Sequence, residues 1–575
     1  MTQNPTERKK RILISGEASF LSTGFSNFNR ELLKRLHATG KYELAEVGSY
    51  APPACPESKQ LAWPFYGILP TNEEEKKLYD SHPQNQFGKY KIDAILADFQ
   101  PDIVFDPRDP WMVEHLQASR FRGNYKLFLM PTVDSAPQKK QWVEGIFKKA
   151  DALTTYSRYG KRVLESSGVK VMDVTSPGVD LEIWKPIPRK EIREKFIIKP
   201  TLLIFGTVMR NQKRKLYPDL FQAYAQLRRK WVTPQKIARI KKKVQAGGKL
   251  DEKELHALRI QHSALFCHTS WPDMGWNIPG LVQHFNLQRH TLFTYKCDAC
   301  DYVYVHWFSP STPQGATACR KCGKMAAHMP GTHSGVSEKD LIELFNLIDI
   351  YVHPAICEGW GLPIMESKAC GIAGMYQNYS AMEDHVENGG GLPIKVQRLY
   401  HEAETEAIRS FPDIDDITSK MEMLAFDEHK RKKLAKAARA CAVRMHSWDL
   451  TGQKIETILD NLEVEDRGRT WDKPPKFETV TAERPSGDIS DELFVRWCYT
   501  NILGREPEEK GMNDWMAGLQ KGTPRDNVEA FFRDQVNGRN KFEEVRWTKS
   551  LALRGIEVDT SAGVSSSNVM PGMIV

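Results

Sequence analysis

The sequence predicts an α/β protein built as two doubly wound halves that face each other across a deep cleft. Short apolar runs alternate with amphipathic helical patterns along the first part of the chain. The same alternation starts afresh at "TLLIFGTVMRNQKRK", after a crossing near "DLEIWKPIP". Alternation of this kind means parallel strands covered on both faces by helices. Ligands of such sheets sit beyond the carboxyl ends of the strands, so two facing halves define one cleft.

"RILISGE" reads as the first strand, followed by the loop "ASFLSTG" and the helical pattern "FSNFNRELLKRLHATG". In that pattern Leu32, Leu33 and Leu36 share a face and Gly40 supplies the stop. "YELAEVGSY", "PDIVFDPRD", "YKLFLMPTV", "ALTTYS" and "VKVMDVTSPGVD" read as further short strands. In the second half the strands are "TLLIFGTV", "SALFCHTS", "HTLFTYK" and "DIYVHP", with helices "YPDLFQAYAQLRRKW" and "EKDLIELFNLI". The expected division is an amino half at 9–183 and a carboxyl half at 184–447. Two insertions interrupt the latter, a basic helical hairpin at 233–261 and a cysteine-bearing loop at 296–333. A helix at 448–463 is expected to return to the amino half, followed by a Pro-rich charged linker (464–487), a helical domain (488–547) and a disordered tail (548–575).

Composition narrows the class. The 575 residues carry a formal net charge of +8, mildly basic and compatible with anionic substrates. No run of 18 or more apolar residues is present, so no membrane span is expected. The amino terminus "MTQNPTERKKRILIS" has no long apolar stretch and reads as a disordered lead into a strand, not as a signal peptide. Four of ten cysteines fall in two CxxC pairs and six are scattered, which points to a reducing, cytoplasmic setting and metal ligation instead of a disulfide framework.

The chemistry concentrates in "ICEGWGLPIMESKACG", where Glu358 and Glu366 stand eight positions apart around a Gly- and Pro-containing loop at the end of an apolar strand. This spacing resembles the donor-site motif of glycosyltransferase family 4. "STGFSNFNRELLKRLHATG", "ADALTTYSRYGKRVLESSGVKVMDVTSPGVD", "GTVMRNQKRKLYPDLFQAY" and "HSWD" resemble further motifs of that family, in the family's order, across residues 10 to 463. The resemblance implies the GT-B fold, two facing Rossmann-like domains, and a retaining transfer from a nucleotide-diphosphate sugar without a catalytic metal. It also implies roles. Arg210 and Lys215, with Arg214 beside them, would hold the diphosphate, whose leaving charge fixed cations stabilise. Glu358 would accept hydrogen bonds from the sugar, and Glu366 would bind the ribose. Gly359, Gly361 and Leu362 would border the donor at a helix start that offers N–H groups and its positive dipole end. Gly24 would let the backbone approach the diphosphate from across the cleft. Many family members carry a His in the amino half that touches the donor sugar; the comparable stretch "LFLMPTVDSAPQ" has Asp134 instead. Either Asp134 substitutes or the sugar contacts differ. Asp106, Arg108 and Asp109, in "FDPRDPW", are acceptor candidates, with a salt-bridged turn as the equal alternative.

Cys297/Cys300 and Cys319/Cys322, separated by 18 residues, have the spacing of a closed structural Cys₄ zinc ribbon. His328 and His333 follow but are not taken as ligands. Leaving the carboxyl end of a strand, the ribbon is expected to overhang the cleft, either as a reader of nucleic acid or glycan or as a metal-stapled lid. The arm "KIARIKKKV" could touch phosphate backbone or an anionic membrane surface, or be a solvated helix face. The "LGREPEEKGMNDW" segment resembles a small helical domain of unknown function, with Trp497 and Trp515 as core residues. The expected reaction is sugar transfer to a hydroxyl, the acceptor being a glycan or lipid-linked saccharide. The alternatives are a hydroxymethylated pyrimidine in DNA, or an inactive sugar-binding module.

Overall fold

In the computed structural model of the chain, the described residues are 8–309, 315–331, 334–465, 471, 483–485, 487, 489–503 and 506–537. The first sheet contains β1 (Lys10–Glu17), β2 (Tyr42–Ser49), β3 (Phe65–Gly67), β4 (Ile103–Asp106), β5 (Lys126–Leu129) and β6 (Ala152–Leu153). Its order is β3-β2-β1-β4-β5-β6, and every pairing is parallel. Ile12, Leu13 and Ile14 of β1 are fully buried in succession, as a central strand covered on both faces requires. The helix Gly24–Thr39 follows, started by the Thr23 side chain accepting from the Ser26 N–H and stopped by Gly40 at φ 66°. Leu32, Leu33 and Leu36 face the core as expected.

The second sheet contains β7 (Leu203–Val208), β8 (Ser263–His268), β9 (Thr291–Cys297), β10 (Val303–Trp307), β11 (Ala327–His328), β12 (Ile350–His353), β13 (Ala373–Gln377) and β14 (Gly391–Ile394). Its order is β10-β9-β8-β7-β12-β13-β14, with β11 also on β9. The core of this sheet is parallel, whereas β10 and β11 run antiparallel to β9, so the cysteine loop extends the sheet's edge. A separate hairpin of β15 (Val396–His401) and β16 (Ile408–Pro412) follows β14.

One expected strand is absent. "VKVMDVTSPGVD" makes only the isolated bridges Thr155↔Val174 and Val179↔Ser447. Pro177 has no N–H to give a ladder, and Gly178 lies against the Trp448 backbone, so this stretch serves as the crossing path between halves. The 233–261 insertion is two helices, Pro234–Gln245 and Glu252–Gln261. The second begins with a capping box of Asp251 and Glu254. The helix Trp448–Asn461 packs on Gly24–Thr39, and Lys10 Nζ donates to the carbonyls of Leu459, Asp460 and Leu462 at 2.8, 2.7 and 2.9 Å. A cation there satisfies open carbonyls at the negative end of the helix dipole. The halves also meet where Asp384 accepts from the N–H groups of Arg158 and Tyr159, at 2.6 and 3.2 Å.

Beyond residue 489, helices Asp491–Trp497, Glu509–Gln520 and 525–537 enclose Phe494, Val495, Cys498, Val528 and Phe532. Trp497 and Trp515 pack on that core. Most of the 464–487 stretch and all of 548–575 lie outside the described residues, but Trp471 is buried on the amino half. Its ring lies 5.4 Å from Phe121 and its Nε1 donates to Pro101 O at 3.2 Å.

Candidate active site

The carboxyl ends of both sheets open onto one cavity of about 610 Å³. The amino half contributes Glu17, Gly24, Asp109, Trp111, Thr132 and Asp134, and the carboxyl half Arg210, Arg214, Glu358, Gly359, Gly361 and Leu362. The two walls approach closely. A Cβ on Gly24 would lie 3.0 Å from Leu362, and one on Gly359 only 2.8 Å from Thr132, so a side chain at Gly359 would push the halves apart. Gly361, at φ 93°, turns the chain into the helix Leu362–Ala369, whose first turn borders the cavity and has no side-chain cap. Its N-terminal end is therefore open to an anion.

Glu358 borders the cavity, but its carboxylate is already engaged. Oε2 receives Arg214 Nη1 at 2.9 Å, and Oε1 receives His353 Nε2 at 2.8 Å together with the Lys215 ammonium. Burial alone would raise its pKa, yet Lys215 and Arg214 hold it well below the usual carboxylate range. This corrects the expectation for Lys215. Its side chain is only 7% exposed and spent on Glu358, and burial with the nearby Arg214 charge pulls its pKa down to about 8. Lys215 does not border the cavity; Arg214 does.

Arg210 does reach the cavity. Its Nε and Nη2 donate to Asp273 at 3.0 and 3.1 Å, and among the described residues Nη1 has no hydrogen-bond partner. Glu366 lies on the helix behind the cavity wall, half-buried. Among the described residues its carboxylate has no hydrogen-bond or ion-pair partner, and burial, with Glu338 nearby, lifts its pKa to about 8.

Asp134 lines the cavity where the family has a His, and there it pairs with Arg409 Nη1 at 3.0 Å. Arg409 comes from β16 and also pairs with Glu402 at 2.8 Å. The hairpin itself reaches the amino half, Ile408 N donating to Ala136 O at 2.7 Å. Neither the hairpin nor Arg409 was anticipated; short half-exposed strands of mixed polarity leave little periodic signal. Of the three acceptor candidates, only Asp109 borders the cavity. Asp106 and Arg108 form a fully buried pair at 2.6 Å, with Arg108 also on Ser49 and Ser15 at 2.9 Å, so the salt-bridged turn is the correct reading for them. Burial, with Asp134 nearby, pushes Asp109 up to about 7, and the Thr132 hydroxyl donates to it.

The four ribbon sulfurs converge, all within 4.8 Å of one another. Cys297–Cys322 and Cys300–Cys319 are each 3.7 Å apart. A tetrahedral zinc with bonds of about 2.3 Å puts its sulfurs about 3.8 Å apart, so the four residues fit that ion. The two CxxC turns are alike: Asp301 N donates to Cys297 O at 2.8 Å and Gly323 N to Cys319 O at 2.9 Å, with Asp301 and Gly323 at φ 54° and 72°. His328 is outside this cluster, against Asp298 at 3.7 Å, and His333 is outside the described residues. No described ribbon residue lines the cavity, and part of the ribbon tip (310–314) lies outside the described residues.

Comparison with known proteins agrees with this architecture. Residues 331–440, which include both Glu358 and Glu366, match the family Glycosyl transferases group 1. The fold is GT-B-like, and the family match falls on the part of the carboxyl half that carries the Glu358–Glu366 loop. Residues 478–534 match a domain of unknown function, DUF4214. The serotype-specific mannosyltransferase WbdA of Escherichia coli is 26% identical over 153 residues, 26% of this chain but only 16% of that protein's length. Sucrose-phosphate synthase from Thermosynechococcus elongatus superposes with a TM-score of 0.54 at 14% identity, over 79% of this chain and 99% of that one. The Anabaena protein HepE, solved in complex with UDP-glucose, gives 0.51 at 12% identity over 78% and 99%. At such identities the likeness bears on the fold.

Proposed function

We propose that the protein transfers a sugar from a nucleotide-diphosphate donor to a hydroxyl acceptor, with retention, the acceptor being a glycan or lipid-linked saccharide. One observation carries this reading: Arg210, Arg214 and the open helix start at Gly361–Leu362 line one cavity together with Gly24 and Asp109 of the amino half. Cations and N–H groups lining one cavity favour a diphosphate there, and favour it most as the sugar bond breaks and charge builds. The UDP-glucose complex of HepE supports a nucleotide sugar as donor.

The acceptor oxygen bonds to the anomeric carbon on the face from which the phosphate departs. The departing phosphate oxygen takes the acceptor's proton, so no protein base is assigned. Arg210 Nη1 meets the diphosphate. Arg214 and Lys215 keep Glu358 ionised and oriented as the sugar's hydrogen-bond acceptor, and Glu366 receives the ribose hydroxyls. Asp109, beside Trp111 on the amino wall, contacts the acceptor. Zinc is assigned to the four cysteines, outside the chemistry. DNA finds little support: Lys243 of the basic arm is tied to Glu254 at 2.7 Å, and the ribbon's cations do not border the cavity.

A screen of nucleotide sugars against glycan, lipid-linked and hydroxymethylated-DNA acceptors tests the reading. The expected result is donor hydrolysis and transfer to a saccharide. Absence of donor binding and hydrolysis with every nucleotide sugar would overturn it, and label entering only DNA would replace the acceptor.

A further inference from the structure

The loop between β8 and the helix Ile278–His284 cradles the segment that carries Arg210. Asp273 receives the Arg210 guanidinium through two hydrogen bonds. Asn211, fully buried, exchanges a reciprocal pair with Trp276: its Nδ2 donates to Trp276 O at 2.8 Å and its Oδ1 accepts from Trp276 N at 2.8 Å. Trp276 Nε1 donates to Lys213 O at 3.1 Å, and Gly275 lies flat against Asn211, with no room for a Cβ. Ser270 hydroxyl donates to Asp273 and Met274 N does so at 2.7 Å, which fixes the carboxylate in turn.

This cradle rests on the ribbon. A Cβ on Gly315 would lie 2.9 Å from the Trp271 ring, so the ribbon backbone is laid directly on that indole. Trp271 and Trp276 pack against the core of the second sheet, to which the ribbon residues Cys297, Cys319, Tyr304, Ala327 and Met329 also belong. The ribbon thus meets the cradle at Gly315 on Trp271, and the Ser270–Asp273 turn leads on to Arg210, although no described ribbon residue reaches the cavity.

We propose that the cysteine ribbon is a positioning element for the diphosphate-binding cation, holding Arg210 through Trp271 and Asp273. The inference rests on the donor reading above for the role of Arg210, and on the four cysteines for the metal. Its logic is that a half-exposed arginine on a loop has many rotamers, and fixing it before substrate arrives removes an ordering cost from the reaction. Trp271 and Asp273 are positioning residues and touch no substrate.

The test uses the full chain. Zinc is stripped with a chelator, verified by metal analysis, and amide exchange is followed in 208–216 against β1 (10–17) of the amino half as internal reference. Stripping should speed exchange in 208–216 by about tenfold and leave the reference unchanged. Trp271→Ala, which keeps all four cysteines, should do the same with zinc still bound, and Trp271→Phe should restore protection. With an active donor, Trp271→Ala and Asp273→Asn should lower kcat about tenfold with donor KM within about twofold, the pattern of an interaction made in the transition state. The double variant Arg210→Ala/Asp273→Asn should cost no more than Arg210→Ala alone. Unchanged exchange in 208–216 in Trp271→Ala overturns the relay, whether or not metal is bound. A chain that hydrolyses no nucleotide sugar, yet shows the exchange response, sinks the donor reading and keeps the relay.

Discussion

Glu358 illustrates how one residue's environment decides what it can do. Its charge is enclosed by Lys215, Arg214 and His353, and both its side chain and that of Lys215 are 7% exposed. Removing one partner leaves a buried charge under-compensated, which typically costs about 3–5 kcal/mol. Lys215→Met should therefore lower the unfolding midpoint markedly in urea; an unchanged midpoint would remove the cluster's structural role. Arg210→Ala, by contrast, should leave stability within about 0.5 kcal/mol, as an exposed pair does, and lower turnover. Glu366 adds a pH signature. Its pKa rises from 4.5 when unfolded to about 8 in the fold, so the native state binds the extra proton between those values. The free protein then loses stability as pH rises from 4.5 to about 8. Ribose hydroxyls donate to the charged form, so donor affinity should rise with pH toward about 8. Glu366→Gln should flatten both curves in calorimetry; pH-dependent donor binding that persists in that variant would assign the proton elsewhere.

At the scale of elements, the two features added to the sheets act at different places. The hairpin β15–β16 ties the halves together through Arg409–Asp134 and Ile408–Ala136. Arg409→Ala should leave the fold intact and raise donor and acceptor KM together, because it frees the closed arrangement of the walls; unchanged KM values would make the pair incidental. The ribbon should carry about one zinc per chain, and Cys300→Ser should release it and expose the 296–331 stretch to protease while both sheets stay folded. A chain that binds no zinc, with equal protease resistance, would leave the sulfur cluster as packing alone.

For the whole molecule, the carboxyl-terminal helices have a core of their own, and no described residue of theirs lines the cavity. A chain cut after Pro474 should keep donor hydrolysis. A cut before Trp471 should be less stable, since that indole fills a buried place beside Phe121, and loss of such a side chain costs about 3–5 kcal/mol. Equal stability of the two truncations would show that Trp471 contributes nothing to the amino half; loss of hydrolysis in both would mean that the helical segment completes the site.

The sequence by itself determined the fold class. The β/α alternation, the restart at residue 201, the glycine loops, the spacing of Glu358 and Glu366 and the two CxxC pairs are local signals, and local periodicity and spacing survive in a linear text. The tertiary structure decided which charged residues face the cleft. Arg210, Arg214 and Lys215 look equivalent in "RNQKRK", yet Arg210 and Arg214 border the cavity and Lys215 is buried on Glu358. Asp106, Arg108 and Asp109 stand within four residues, and only Asp109 reaches the cleft. Arg409 joins Asp134 from 275 positions away in sequence. Which cation a carboxylate captures depends on burial and on partners far along the chain, and both exist only after the two halves have closed on each other.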